Sequence, residues 1–315
     1  MLHPFPPEDE HDSAQQMALK AAAASKSTWI SVAVNIALST VQIVVGIFAK
    51  SQGLVADGVH SLSDLVADFA VLLANHHSRK DADTEHPYGH QRFETGASLV
   101  LGLLLLAVGL GMVWTAVVKL EQPTQIPAVH LSALWVALAA LVAKECLFRY
   151  MLRVATAVKS GMLVANAWHA RSDAASSLVV ACGIGGNLLG YPLLDPIAAL
   201  IVGFMVGKMG WSFGWDALND LMDRGADEQE VDAIHRTIAQ TPGVLGVHDL
   251  KTRRMGDMLV ADAHIVVDAD ITVEAGHGIA VEARRRVLQQ HAVLNLMTHI
   301  DPANRPDLDH PGALA

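Results

Sequence analysis

The sequence predicts a membrane-embedded bundle of six transmembrane helices followed by a small cytoplasmic α+β domain. Three observations carry that prediction. Of the 315 residues, 52% are hydrophobic and only 17% charged, against about 25% charged in a soluble chain, and the mean hydropathy is +0.33. Six apolar runs occupy residues 28–219, each long enough for a hydrocarbon core that takes about 20 helical residues to cross. Beyond about residue 220 the pattern changes to short amphipathic segments in the order α-β-β-α-β.

The composition also excludes function classes. It rules out disorder and argues against an ordinary soluble enzyme, and the net charge of −10 argues against a nucleic-acid partner. Cys146 and Cys182 both lie in apolar runs, which excludes a disulfide scaffold and a Cys-type zinc finger. The chain holds 16 histidines, a residue that ligates metals and titrates near neutral pH.

Residues 1–27 are polar and open with a Pro-rich acidic stretch, HPFPPEDEHD. They lack a basic segment followed by an apolar core, so no signal peptide is expected, and they read as a disordered cytoplasmic tail running into a helix. Residues 28–49 form an uncharged first run. The second, 53–77, holds Asp57, His60, Asp64 and Asp68, and the third, 95–118, is again uncharged. The fourth, 127–149, has Lys144 and Glu145 near its end. The fifth, 161–190, contains His169, Arg171 and Asp173, and the sixth, 193–219, opens on Asp195-Pro196. The membrane domain is thus expected over 28–222.

Six spans put both termini on one side, and lysine and arginine in the short loops decide which. With the N-terminus inside, the inner segments hold Lys20, Lys26, Arg79, Lys80, Arg92, Arg149, Arg153 and Lys159, whereas the outer loops hold Lys50 and Lys119. Both termini are therefore expected in the cytoplasm, with the chain in the inner or plasma membrane.

A cytoplasmic domain is expected over 223–302. Residues 227–241 are an amphipathic helix with Val231, Ile234, Ile238 and Ala239 on one face, ended by Thr241-Pro242-Gly243. Residues 245–255 and 258–268 alternate as strands around a Gly256-Asp257 turn. Residues 273–290 are helical again, 293–301 form a strand, and 303–315 are a flexible tail. The order is that of a ferredoxin-like domain.

The chemistry starts in the second run. His60 and Asp64 are four residues apart and stack on one helix face, and the fifth run repeats the spacing with His169 and Asp173. At 1.5 Å rise per residue, Asp64 lies roughly 16 Å below the outer end and Asp173 roughly 18 Å above the inner end. In a core about 30 Å thick the two pairs meet near the midplane. Ionisable groups there are costly and mark function. Two imidazoles and two carboxylates suit tetrahedral Zn²⁺ and also accept Co²⁺, Fe²⁺ or Cd²⁺, while the lack of sulfur ligands argues against Cu⁺. Asp57 and Asp68 share the face of His60 and Asp64 and are candidates either for guiding ions or for helix packing. The loop after the second run offers Asp83, His86 and His90, and the last 80 residues offer His248, His264, His277, His299 and Asp301. His299 and Asp301 share one face of a strand.

The segments ADGVHSLSD, DTEHPYGHQRFE and WHARSDAASS, in this order, together with GVHDLKTR in the last domain, resemble the cation diffusion facilitator family over residues 15–302. The resemblance implies a homodimeric exchanger of divalent metal for protons. It places the transport site at His60, Asp64, His169 and Asp173, a loop site at Asp83, His86 and His90, and a binuclear cytoplasmic site at His248, His264, His277, His299 and Asp301 near the dimer interface. Arg92 and Asp223 fall where the family has a charge interlock between protomers. Two departures stand out: the 150–160 loop lacks the histidines of eukaryotic zinc members, and the second-run pair is His/Asp where some bacterial members have Asp/Asp, a difference that bears on zinc against cadmium.

The expected function is efflux of Zn²⁺ driven by protons, since no ATP-binding motif is present. An Fe²⁺ or Co²⁺ exporter is the alternative within the family. A membrane metalloenzyme would need an open coordination position and a general base, and neither HExxH nor GxSxG occurs. A non-transporting metal sensor would keep the cytoplasmic histidines but tolerate loss of Asp64 and Asp173.

Overall fold

The computed structural model describes residues 8–78, 80, 82–122, 126–157, 161–256 and 258–303, and inside the helices it omits the side chains of 8–25, 28, 67–68, 70–77, 161–163, 165–166 and 169. The expected tail 303–315 therefore lies almost wholly outside the described residues. Six long helices come first: α1 (Glu8–Phe48), α2 (Gln52–Ser78), α3 (Arg92–Glu121), α4 (Leu131–Ala157), α5 (Gly161–Leu188) and α6 (Leu194–Leu221). Then follow α7 (Glu228–Ala239), β1 (Gly246–Met255), β2 (Met258–Val267), α8 (Val273–Gln290) and β3 (Val293–Pro302).

One expectation about the start of the chain changes. α1 is helical from Glu8, some twenty residues ahead of the first apolar run, where a disordered tail was expected. The stretch AQQMALKAAAAS explains it, since alanine, glutamine, methionine, leucine and lysine all have high helix propensity.

Among the described residues, α1 from Trp29 on, α3, α4 and α6 are long and apolar enough to cross a membrane. α2 and α5 have 27 and 28 residues, sufficient by length, but they carry the ionisable groups. Side-chain burial is inverted relative to a soluble protein. Trp114 and Phe204 are 70% and 68% exposed, while Asp57 and Lys144 are 0% and 2% exposed. Apolar surface of this extent needs an apolar solvent.

The chain divides into two compact units, one of residues 1–69 and 101–212, the other of 70–100 and 213–315. The first packs on small residues. Ala56, Ala116, Ala133, Ala137, Ala181, Ala198 and Ala199 surround Leu54, Val180, Ile184 and Val202, so backbones approach closely as membrane helices do. A Cβ on Gly109 of α3 would lie 2.3 Å from the Gly207 amide nitrogen of α6. α2 is fastened at its start: the Asp195 carboxylate of α6 accepts from the Gln52 amide (2.7 Å), the Gly53 amide (3.2 Å) and the Ser51 hydroxyl (2.6 Å). A negative charge at a helix N-terminus satisfies free amides and opposes the helix dipole favourably.

In the second unit the sheet order is β1-β2-β3, with β1 antiparallel and β3 parallel to β2. Leu259, Ala261, Ala263 and Ile265 of β2 face Ile234 and Ile238 of α7 and Ala280, Ala283 and Val287 of α8. The helices cover one sheet face and leave the other open. The expected strand and helix limits agree with the observed ones to within one or two residues.

Candidate metal centres

Asp64 is the thirteenth residue of α2 and Asp173 the thirteenth of α5, so each stands about 18 Å from its helix start, in mid-helix. His60, Asp64 and Asp173 each offer a ligand atom within 4.8 Å of the others. His60 Nδ1 is 3.5 Å from Asp64 Oδ2, and both side chains are largely buried. His169 lies one turn before Asp173 on α5, but its side chain is outside those described. α2 reaches this position because Gly58 lets it press on α1, where a Cβ would meet Ile43 Cγ1 at 2.8 Å.

One turn earlier on α2, Asp57 is fully buried. It accepts from Gln42 of α1, from Ser176 Oγ (2.9 Å) and Ser177 Oγ (2.6 Å) of α5, and from Lys144 Nζ of α4 (3.3 Å). Of the two roles open to Asp57, helix packing is the one this geometry serves. The Asp68 side chain lies outside those described. Lys144 is not near a helix end, because α4 continues to Ala157. Its partners are the feature the sequence reading missed. A lysine inside an apolar run was the available signal, since a buried charge requires a counter-charge and Glu145, next in the chain, points to another helix face.

The loop between α2 and α3 brings Asp83, His86 and His90 together. Asp83 Oδ1 accepts from the His86 amide at 2.7 Å and the Glu85 amide at 3.0 Å. Its Oδ2 lies 3.3 Å from His90 Nε2, and the two imidazole centroids are 4.5 Å apart. The His86 amide foremost holds the Asp83 carboxyl below its ordinary value; desolvation opposes it, and the Glu85 amide and the nearby histidines add to the lowering. The carboxylate is therefore ready to ligate at neutral pH.

A third cluster lies on the open face of the sheet. Strand register sets His248 opposite His264 and His264 opposite His299, a row with centroid spacings of 5.0 and 4.7 Å. Asp301, two residues past His299, turns to the same face. Its carboxylate is 3.0 Å from His264 Nδ1, 3.2 Å from His248 Nε2 and 3.3 Å from His299 Nε2. A bulge after His248, where Asp249 has φ +48°, lets Val247 and Leu250 both pack towards the helices while His248 joins the row. His277 is exposed on α8, the layer that covers the opposite face, and does not join the cluster. Arg92, the first residue of α3, donates to Asp223 within the same chain. Asp223 follows α6 with φ +61°, while the Arg224 amide closes the helix end on the Asn219 carbonyl, a left-handed cap.

Neutral imidazole and carboxylate together form donor sets for divalent ions such as zinc, cobalt, iron or manganese. Residues 28–222 match the family model described as the cation efflux transmembrane domain, and residues 226–303 that of the cation efflux protein, cytoplasmic domain. The chain is 37% identical over 284 residues to metal tolerance protein C1 of Arabidopsis thaliana, covering 85% of this chain and 60% of that protein, so it spans less than two thirds of that relative. It is 32% identical over 278 residues to manganese efflux system protein MneS of Bacillus subtilis, covering 87% and 93% of the two chains. A solved nickel form of a MamM CTD variant is 27% identical, with a TM-score of 0.24, and covers 24% of this chain and 98% of that one.

Proposed function

Since the chain belongs to the cation efflux, or cation diffusion facilitator, family of multi-pass membrane proteins, we propose that it exports a divalent metal ion, Zn²⁺ foremost, in exchange for protons. The observation that carries this reading is the meeting of His60, Asp64 and Asp173 within 4.8 Å in the middle of two helices; the proposal adds His169, one turn before Asp173 in the sequence, as the fourth ligand. Two imidazoles and two carboxylates close a tetrahedral site for zinc. A closed site with no free general base serves carriage better than hydrolysis.

Metal binds only when imidazole and carboxylate are deprotonated, and protons arriving from the other side displace it. Alternating exposure of the site to the two sides couples the flows. The loop cluster of Asp83, His86 and His90 binds metal near the cytoplasmic mouth. In the C-terminal domain, His248, His264, His299 and Asp301 bind a regulatory ion that favours the homodimer and one conformation, and His277 completes that site only across chains. Arg92 and Asp223 guard the dimer arrangement. The membrane is the inner or plasma membrane, with both termini cytoplasmic. Mn²⁺ is a second substrate to weigh, because a relative covering most of this chain is named a manganese efflux protein and carboxylate ligands suit manganese. Fe²⁺, Co²⁺ and Cd²⁺ fit the same donors.

Proteoliposomes with an imposed pH gradient test the reading. Zn²⁺ flux in the wild type, abolished by Asp64→Ala, is expected, and competition by Mn²⁺, Fe²⁺, Co²⁺ and Cd²⁺ ranks the substrates. A wild type that moves no metal while its C-terminal domain binds zinc would replace the exporter with a membrane-bound sensor.

A further inference from the structure

Five buried polar side chains converge beside the α2–α5 cluster without belonging to it. Asp57 is the hub. Its Oδ1 accepts from Ser176 Oγ at 2.9 Å and lies 3.3 Å from Lys144 Nζ, and its Oδ2 accepts from Ser177 Oγ at 2.6 Å, from Gln42 Nε2, and from Lys144 Nζ at 3.4 Å. All five residues are at most 2% exposed. Four helices, α1, α2, α4 and α5, therefore meet at one carboxylate.

The same donors hold a metal-site residue by its backbone. The single Ser176 hydroxyl proton is shared between Asp57 Oδ1 and the Asp173 carbonyl oxygen, 2.8 Å from Oγ, and Lys144 Nζ lies 3.4 Å from that carbonyl oxygen. Asp57 stands three residues before His60 on α2, so a rotation of α2 moves both together. Lys144 and Ser176 thus join the α2 side of the cluster to the α5 side.

We propose that the Asp57–Lys144 pair is a positioning device for the α2–α5 metal cluster: it fixes the facing of α2 on α5 and thereby sets which divalent ions fit between His60, Asp64 and Asp173. The assignment rests on reading those three residues as the transport site. The oxygens of Asp57 are filled by protein donors, so it is neither a ligand nor a stepping stone for the ion. The ammonium balances its charge, so the pair adds shape to the site without adding net charge. A buried ion pair is weak evidence for stability, because well-packed apolar residues often do as well, and its best-attested use is to specify registry.

The test uses the full-length protein in proteoliposomes and reads KM and Vmax for Zn²⁺ and for Mn²⁺ separately. Lys144→Met and Asp57→Asn are each expected to change the Mn²⁺-to-Zn²⁺ KM ratio by about tenfold or more, the size of effect found when partners behind metal ligands are removed. The double variant, neutral again and still hydrogen-bonded by Ser176 and Ser177, is expected to bring the ratio back towards wild type. Equal loss of Vmax for both ions with KM unmoved would show a structural role only and overturn the proposal. Should the single variants fail to give monodisperse protein, Ser176→Ala/Ser177→Ala keeps the ion pair but cuts its links to α5, and an unmoved ratio there overturns the proposal as well. Equilibrium affinities for Zn²⁺ and Mn²⁺, measured in a background with Asp83→Ala and Asp301→Ala, separate the two levels. A wild type without flux sinks the efflux reading, whereas an affinity ratio indifferent to Lys144 and Asp57 sinks the positioning pair.

Discussion

Asp83 illustrates how backbone amides keep a candidate ligand ionised. The His86 and Glu85 amides both donate to its Oδ1, and these bonds favour the ionised form. Its carboxyl therefore titrates below the ordinary value, the His86 amide being the largest cause. The sign follows: the lowered value stabilises the folded loop at pH above about 3.9, the usual aspartate range, and that contribution is lost as pH falls through the depressed value. A carboxyl ¹³C titration of the metal-free protein is expected to place the Asp83 midpoint below that of a free aspartate. Asp83→Asn keeps the shape and one acceptor oxygen but removes the charge. It is expected to lower metal affinity of the loop by about tenfold or more, read by calorimetry with the sheet cluster disabled through Asp301→Ala.

At the scale of elements, the helix that carries His60 and Asp64 is held from outside itself. The first amides of α2 would otherwise be unsatisfied in a buried position, and Asp195 of α6 supplies the acceptor. Asp195→Ala is expected to cost about 1–2 kcal/mol and to loosen the start of α2. Faster hydrogen exchange at Gln52 and Gly53 would register it, and unchanged exchange would mean that Ser51 suffices. The sheet works differently. Its row of histidines is built by strand register, and the bulge after His248 gives β1 a change of phase against β2. One layer of helices then closes the other face, which leaves His248, His264, His299 and Asp301 accessible to an ion.

At the scale of the molecule, the two units carry opposite surface logic. The helical unit exposes Trp114, Trp135 and Phe204 and buries Asp57, Lys144 and Gln42, whereas the C-terminal sheet and helices bury Ile234, Ile265 and Val287 as a water-soluble domain does. On the proposed reading, carriage belongs to the helices and metal sensing to the sheet domain. Deleting residues 226–315 is expected to leave gradient-driven flux measurable but to abolish its dependence on metal on the cytoplasmic side. A truncated protein whose rate and metal dependence equal those of the full chain would remove the sensing role.

Local periodicity made the helices, the strands and the 273–290 helix legible in the sequence, because the 3.6- and 2-residue repeats are fixed by the backbone whatever surrounds it. The same repeats put His60 over Asp64 and His299 beside Asp301. Family membership was legible for the same reason, since its motifs are short and ordered. Tertiary structure alone decided the partners of Asp57 and Lys144, which are 87 residues apart, the cap that Asp195 gives α2, the bulge that turns His248 into the row, and the separation of His277 from it. These outcomes depend on which faces of distant segments meet, and that is fixed by the packing of small residues such as Gly58, Gly109 and Gly207 and by the need of every buried charge for a counter-charge, neither of which a local spacing records.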